Sequence, residues 1–209
     1  MVTARIDAYD AIRHLRRAEQ RLVPLIERHG PPQLRRTRNS FQSLARSIIY
    51  QQLSGKAAAT IYRRFLQLFP TRRFPSPEVM RTVTVARLRS AGLSMQKASY
   101  MHALAQTYLK GDIRPRRFSQ MTDAEITATL TKVKGIGPWT ADMFLIFALN
   151  RPDVLPVGDL GVRKGMQRLY DLPVLPDAQT MRRLATPWQP FRSAASWYLW
   201  RLLDEQPVR

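Results

Sequence analysis

Two short stretches of this chain carry residue types that can do chemistry. The first is Lys132-Val133-Lys134-Gly135-Ile136-Gly137-Pro138-Trp139-Thr140. Glycines on both sides of one apolar residue let another backbone come close, and Pro138 fixes the start of the helix that follows. The N–H groups at such a helix start point outward with partial positive charge, and a phosphate fits there, with Lys132 and Lys134 adding charge beside it. A tight helix–helix turn with a glycine cap has the same local sequence. The second stretch is Val157-Gly158-Asp159. Locally, an Asp at a helix start is an ordinary N-cap, and a chemical role for its carboxylate needs support from the rest of the chain.

The elements that must position these residues read as helices, with little strand alternation. Residues 5–29 predict a basic helix, interrupted at Pro24 and ending near Gly30-Pro31-Pro32, followed by a linker at 33–38. Asn39 and Gln42 have capping-box spacing, and Phe41, Leu44, Ala45, Ile48 and Ile49 share one helical face. That helix should stop around Leu53-Ser54-Gly55. A second helix puts Ala58, Ile61, Phe65 and Leu68 inward and ends at Pro70. Ser76-Pro77 starts a third, Val85, Leu88 and Ala91 form a short fourth closed by Gly92, and Ser94 opens a fifth that stops at Gly111. Thr122 and Glu125 form a capping box for a sixth, whose inner stripe is Ile126, Leu130 and Val133. Pro138 opens a very apolar seventh helix through Leu149. Residues 150–158 form a loop, Asp159 begins an eighth helix, and a Trp-rich helix covers about 190–204. The fold class is all-α.

Composition narrows the partners. The 209 residues hold 34 Lys and Arg against 15 Asp and Glu, a formal charge of +19. Such an imbalance repels itself in a compact fold, and a polyanion is its natural counterpart; nucleic acid leads because phosphate neutralisation releases counterions. The absence of cysteine excludes disulfides, thiolate zinc sites and cysteine-ligated iron–sulfur clusters. With only His14, His29 and His102, a histidine metal site is not expected either. No run approaches the ~18 apolar residues of a membrane span, and residues 1–30 lack the apolar core of a signal peptide. The expected location is cytoplasmic, or nuclear in a eukaryote, in association with nucleic acid.

The order of these features is more specific than any one of them: capped helix, Lys-Gly-Ile-Gly, Pro-Trp-Thr-Ala, apolar helix, then Asp in a glycine-preceded turn. It resembles the helix-hairpin-helix (HhH-GPD) DNA glycosylases, and especially their alkylpurine branch, the 3-methyladenine DNA glycosylase II type and its fungal relatives. The resemblance spans roughly residues 40–203. Ile48-Ile49-Tyr50-Gln51-Gln52-Leu53-Ser54-Gly55-Lys56-Ala57-Ala58 is similar to the segment that enters the minor groove. Gly92-Leu93-Ser94-Met95-Gln96-Lys97-Ala98-Ser99-Tyr100 is similar to the Gly-Leu-Ser…Lys…Tyr helix entry. Leu155-Pro156-Val157-Gly158-Asp159 resembles the catalytic aspartate turn, and Trp188-Gln189-Pro190-Phe191-Arg192-Ser193 with Trp200 the closing helix.

The resemblance implies an activity: hydrolysis of the N-glycosidic bond of an alkylated base flipped out of damaged double-stranded DNA, as the first step of base-excision repair. Asp159 would be catalytic, its carboxylate stabilising positive charge on the sugar and orienting or deprotonating water. Bifunctional relatives carry a Schiff-base lysine where this chain has Trp139, which implies a monofunctional enzyme that leaves an abasic site. Trp139 and Trp200 would line the base pocket, where an indole face attracts a cationic base. Met143 and Leu160 stand where the family has further pocket aromatics, so the resemblance implies a less aromatic, more open pocket; N3- and N7-alkylated purines are expected. Leu53 would be the wedge that fills the gap in the stack, with Gln52 near base edges. Gly135, Gly137 and Thr140 would hold phosphate through backbone and hydroxyl donors. Main-chain carbonyls near Thr131, Val133 and Ile136 can hold a monovalent cation, Na+ or K+, in this family; no other cofactor is implied.

The bacterial 3-methyladenine DNA glycosylase II type carries an extra N-terminal β-containing domain, whereas residues 1–40 here supply only a helix and a linker. Two helical subdomains are expected, residues 41–151 with wedge and hairpin, and residues 1–40 with 152–209 carrying Asp159, with a DNA-binding cleft between them and a monomer as the default. Two rivals remain at this level. A catalytically silent helix-hairpin-helix DNA-binding module needs neither the Asp159 turn nor the Leu53 segment. A basic RNA-binding or ribosome-associated protein explains the charge but not the aspartate.

Overall fold

A computed structural model describes residues 7–34, 37, 39–53 and 55–204. The described residues form α1 (Ala8–Ala18), α2 (Val23–His29), α3 (Ser40–Tyr50), α4 (Gly55–Gln67), α5 (Pro77–Thr82), α6 (Val85–Ser90), α7 (Met95–Lys110), α8 (Asp123–Leu130), α9 (Pro138–Met143), α10 (Leu160–Leu169), α11 (Ala178–Leu184) and α12 (Arg192–Asp204). There is no strand among them, as the helical periodicity predicts. They fall into two compact units, one spanning Thr37–Phe144 and the other formed by 7–34 and 145–204.

The first unit is organised on α7, which packs against α3, α5 and α6, while α3 also contacts α4 and α9, and α8 packs on α9. Its core is the stripe read from the sequence: Phe41, Leu44, Ala45, Ile48 and Ile49 of α3 against Ala98, Met101, Leu104 and Ala105 of α7, all buried. Each fully buried Leu or Ile contributes roughly 1.5–3 kcal/mol of transfer free energy. Side chains set the helix starts. Asn39, Ser76, Ser94 and Thr122 each accept a backbone N–H of the first turn, and Thr122 with Glu125 closes a full capping box. Gly111, left-handed at φ 76°, stops α7. Tyr62 and Phe65 of α4 form one aromatic cluster with Phe69 and Phe74 of the connection to α5.

In the second unit α10 packs along α12, and α12 also contacts α1 and α2. The close approach of α10 to α12 is made at Gly165, where a β-carbon would lie 2.7 Å from Leu199 Cβ and 2.9 Å from its carbonyl oxygen. Ser193 ties the start of α12 to the loop before α10: its hydroxyl donates to the Arg151 carbonyl (2.7 Å) and accepts from Val154 N–H (3.0 Å). Arg192 pairs with Asp153 at 2.6 Å beside it.

Three boundaries differ from expectation. The N-terminal helix breaks at Glu19, not at Pro24; Glu19 is extended and its carboxylate caps a short 3-10 turn, Gln20–Leu22, while Pro24 sits in the first turn of α2, where its missing N–H costs nothing. The apolar helix after the hairpin is α-helical only over Pro138–Met143 and continues as a π segment, Phe144–Ala148. Helix α11, capped by Asp177, is absent from the sequence reading because its short span offers too few inward positions. Residues 35, 36 and 38 of the expected linker, and Ser54 of the expected stop of α3, lie outside the described residues.

Candidate functional site

Asp159 is the N-cap of α10: its backbone is extended, and its Oδ1 accepts the Val162 N–H at 2.8 Å. The same oxygen accepts the indole N–H of Trp200 at 2.9 Å. One carboxylate oxygen is therefore held by a main-chain donor from its own helix and a side-chain donor from α12, which fixes both its place and its rotamer. Gly161 makes room for this. A β-carbon there would lie 2.9 Å from Trp200 Cδ1 and 3.0 Å from Asp159 Oδ1, so any larger residue pushes the indole off the carboxylate. The Trp200 ring in turn leans on Phe147, with centroids 5.4 Å apart and planes 30° apart.

Phe147 and Leu160 are large apolar side chains left exposed beside this carboxylate's helix, at 40% and 52%. The residues flanking Phe147, Ile146 and Ala148, are buried. The arrangement is an anchored carboxylate with an indole and a phenyl ring in contact beside it. Such a group can stabilise a developing cation, and electron-rich faces attract a positively charged ring.

The first unit holds the other sequence candidates. Gly135 is at φ 92°, and a β-carbon there would lie 2.2 Å from Cγ of Tyr100. Only glycine meets both conditions. Gly137 is the exposed N-cap of α9, with no side chain capping that helix, and Lys132 and Lys134 are exposed on either side of the buried Val133. Thr140 departs from expectation: it is 2% exposed, and its hydroxyl accepts from the Gln51 amide at 3.4 Å. The Thr140 hydroxyl is thus engaged inside the unit, and the exposed polar groups of this turn are its backbone at Gly137 and the two lysines. Trp139 is 36% exposed and Met143 half-buried, both on α9. At the end of α3, Gln52 adopts φ 55° and Leu53 is 38% exposed. A non-glycine residue in that region costs of order 1 kcal/mol or more, and the turn aims an apolar side chain outward.

Sequence reasoning placed Asp159 and Trp200 but not their direct bond, and it gave no role to Phe147, Gly161, Gln51, Lys97 or Tyr100. A signal existed for two of these. Gly161 is a glycine in the first turn of a helix, where it weakens the helix unless space requires it, and Lys97 is a charge on the inward side of α7. The Lys97 ammonium donates to the carbonyls of Ile49 (2.7 Å) and Gln51 (2.8 Å), and burial holds its pKa below the usual lysine value. No group of three or more metal-ligating side chains occurs among the described residues.

Comparison with known proteins identifies the family. The family model of the HhH-GPD superfamily base excision DNA repair proteins matches residues 45–190. DNA-3-methyladenine glycosylase 1 of Schizosaccharomyces pombe is 35% identical over 195 residues, which covers 91% of this chain and 86% of that protein. The solved 3-methyladenine DNA glycosylase of the same yeast, in complex with abasic DNA, superposes with a TM-score of 0.87 at 32% identity, over 96% of this chain and 99% of that one. A DNA-3-methyladenine glycosidase from Bacillus halodurans gives 0.81 at 34% identity, over 98% and 95%. The chain belongs to the HhH-GPD superfamily of base excision DNA repair proteins, in its alkylpurine branch.

Proposed function

We propose that this protein is a monofunctional DNA glycosylase that removes alkylated purines from duplex DNA and leaves an abasic site. The observation that carries this reading is the Asp159 carboxylate, held on one oxygen by Val162 N–H and Trp200 N–H beside the Phe147–Trp200 pair. Family membership and relatives named for 3-methyladenine support it.

The reaction is a hydrolysis. The C1′–N bond breaks with its electron pair going to the base, which leaves neutral when alkylation had made it cationic, and the oxygen of water bonds to C1′ while its proton is released. Positive charge builds on the sugar before the new bond is complete. A carboxylate already fixed in place stabilises that charge without reorganising, and can orient the water. Trp139, an indole at the position where relatives that cut the strand have lysine, offers no amine for a Schiff base. The indole faces of Trp139 on α9 and of Trp200 on α12 each favour a cationic base over a neutral one, and Met143 and Leu160 stand where relatives of this branch have aromatics, which weakens that preference. Leu53 fills the space of the extruded base, with Gln52 beside it, and the hairpin with Lys132 and Lys134 holds phosphate.

A monovalent cation, Na+ or K+, would be held by the hairpin carbonyls of Thr131, Val133 and Ile136. The Val133 carbonyl already accepts the Ile136 N–H at 3.0 Å, leaving its second lone pair for an ion, which would add positive charge facing a phosphate. The protein acts as a monomer on double-stranded DNA, in the compartment that holds the genome; no described helix is long and apolar enough to cross a membrane.

The direct test is release of bases from methylated duplex DNA by the wild type and by Asp159→Asn. Release of alkylated purines is expected, with the variant slower by at least about a hundredfold while still binding DNA, the range for losing a key electrostatic group. Tight binding without release by the wild type would overturn the enzyme reading in favour of a silent DNA-binding module.

A further inference from the structure

The first turns of α7 are tied to both of the segments assigned to DNA contact. On one side, Lys97 donates to the carbonyls of Ile49 and Gln51 at 2.7 and 2.8 Å. The first is among the last carbonyls of α3, which have no partner within their helix and carry its partial negative charge, and the second belongs to its C-cap. The turn they start leads directly into Gln52 and Leu53. On the other side, Tyr100 packs its ring against Gly135 of the hairpin, and the Gln96 amide donates to the Tyr100 hydroxyl at 2.5 Å. Gln51 closes the frame: its amide reaches from the α3 end to the Gly135 carbonyl at 2.8 Å and the Thr140 hydroxyl at 3.4 Å.

Every one of these contacts lies within the first unit. An apolar side chain of lysine's length would pack as well at 97 without the cost of desolvating a charge. The ammonium is therefore there for the two carbonyls. Likewise, nothing in the packing of the α3 end requires an amide at 51, yet that amide is the direct link from the Leu53 turn to the hairpin.

We propose that Gln51 and Lys97 are positioning residues that lock the Leu53 turn to the hairpin, so that phosphate capture and wedge insertion occur at one fixed spacing. The inference deepens the glycosylase reading and rests on it. The spacing matters most where the stack must be opened. In an intact duplex the wedge replaces an extruded base, and a displacement of about 1 Å at such a contact costs up to about a hundredfold in rate. Where the lesion already lacks a pairing partner, opening is easy and the position of the wedge matters less.

The experiment compares wild type with Lys97→Met, Gln51→Leu and Gln51→Glu on two substrates. One carries 7-methylguanine opposite cytosine; the other carries the same lesion opposite an abasic gap. A 2-aminopurine beside the lesion reports stack opening by fluorescence, separately from base release under single-turnover conditions. Thermal melts identify variants that fold, and Gln51→Glu, which keeps the shape but presents oxygens to the Gly135 carbonyl, carries the test if Lys97→Met does not fold. Expected is a slowing of opening and release of at least about tenfold on the paired lesion and under about threefold on the gapped one. Equal slowing on both substrates means the residues are only structural, and no slowing on either means the link is idle; each overturns the proposal. If the wild type opens the stack but releases no base, the glycosylase reading fails, and the fluorescence arm alone decides this inference.

Discussion

Asp159 has two donors on one oxygen, and the space that allows this is set by an absent side chain. Gly161 lets the Trp200 indole reach the carboxylate; with a β-carbon 2.9 Å from Cδ1 and 3.0 Å from the carboxylate oxygen, Gly161→Ala must move one or both. We expect base release to slow by about tenfold to a hundredfold in that variant, with DNA binding within about twofold of wild type because the proposed phosphate contacts, the hairpin and its two lysines, lie elsewhere in the chain. Single-turnover release and fluorescence anisotropy on the same duplex separate the two. Wild-type release rates would show that the carboxylate does not depend on the indole. Trp200→Phe, which keeps a ring but loses the N–H, should fall on the same side. Asp159 itself was legible in the sequence as a capping residue and, through the resemblance, as a catalytic one. Its bond to Trp200 was not, because 41 residues separate them and only the packing of α10 on α12 closes the distance.

At the scale of elements, the hairpin turn depends on a packing coincidence that a double mutant can isolate. Gly135→Ala places a β-carbon on the Tyr100 ring and forces alanine to a positive φ. The overpacking costs about 1–3 kcal/mol, and the positive φ adds about 1 kcal/mol or more. In a Tyr100→Ala background only the second cost should remain, so chemical denaturation should give a coupling of at least about 1 kcal/mol between the sites; strict additivity would mean that the ring moves aside freely. Helix caps make a second prediction. Backbone N–H bonds, from Thr122 to Glu125 and from Thr180 to Asp177, hold both carboxyls below their usual pKa values. A depressed native pKa stabilises the fold above the unfolded-state value, and that contribution is lost as pH falls through the native one. Glu125→Gln with Asp177→Asn should therefore flatten the acid limb of a stability–pH curve, leaving its shape above pH ~6 unchanged, since ordinary carboxyls are ionised there. An unchanged acid limb would show that other carboxyls dominate. The caps at Asn39, Ser76, Ser94 and Thr122 were legible because a short polar residue ahead of an apolar stripe is a local signal. The π segment at Phe144–Ala148 was not, since its residues read as an ordinary apolar helix.

For the molecule as a whole, the charge of +19 governs encounter with DNA rather than the fold. Affinity for undamaged duplex should fall steeply with salt, with log K dropping against log salt by about 0.9 for each phosphate neutralised. Lys132→Ala and Lys134→Ala should each reduce that slope by up to about 1 and weaken binding uniformly across sequences, without changing the melting temperature, because both side chains are exposed. A slope unaffected by either change would remove the hairpin from the phosphate contacts.

The sequence by itself determined what local physics writes into neighbouring residues: the all-helical class, most helix starts, the apolar stripes that became the cores, the hairpin glycines and the cap at Asp159. Tertiary structure decided what depends on distant residues meeting. It brought Trp200 to Asp159 and Phe147 to Trp200, turned the Thr140 hydroxyl inward to Gln51, and set Lys97 and Tyr100 beneath the Leu53 turn and the hairpin. The reason is that capping and helical periodicity act within a few residues along the chain. The rotamer and partners of a site side chain are fixed instead by close-packed neighbours from other helices, whose approach is permitted or forbidden by single atoms such as a missing β-carbon at Gly135 or Gly161.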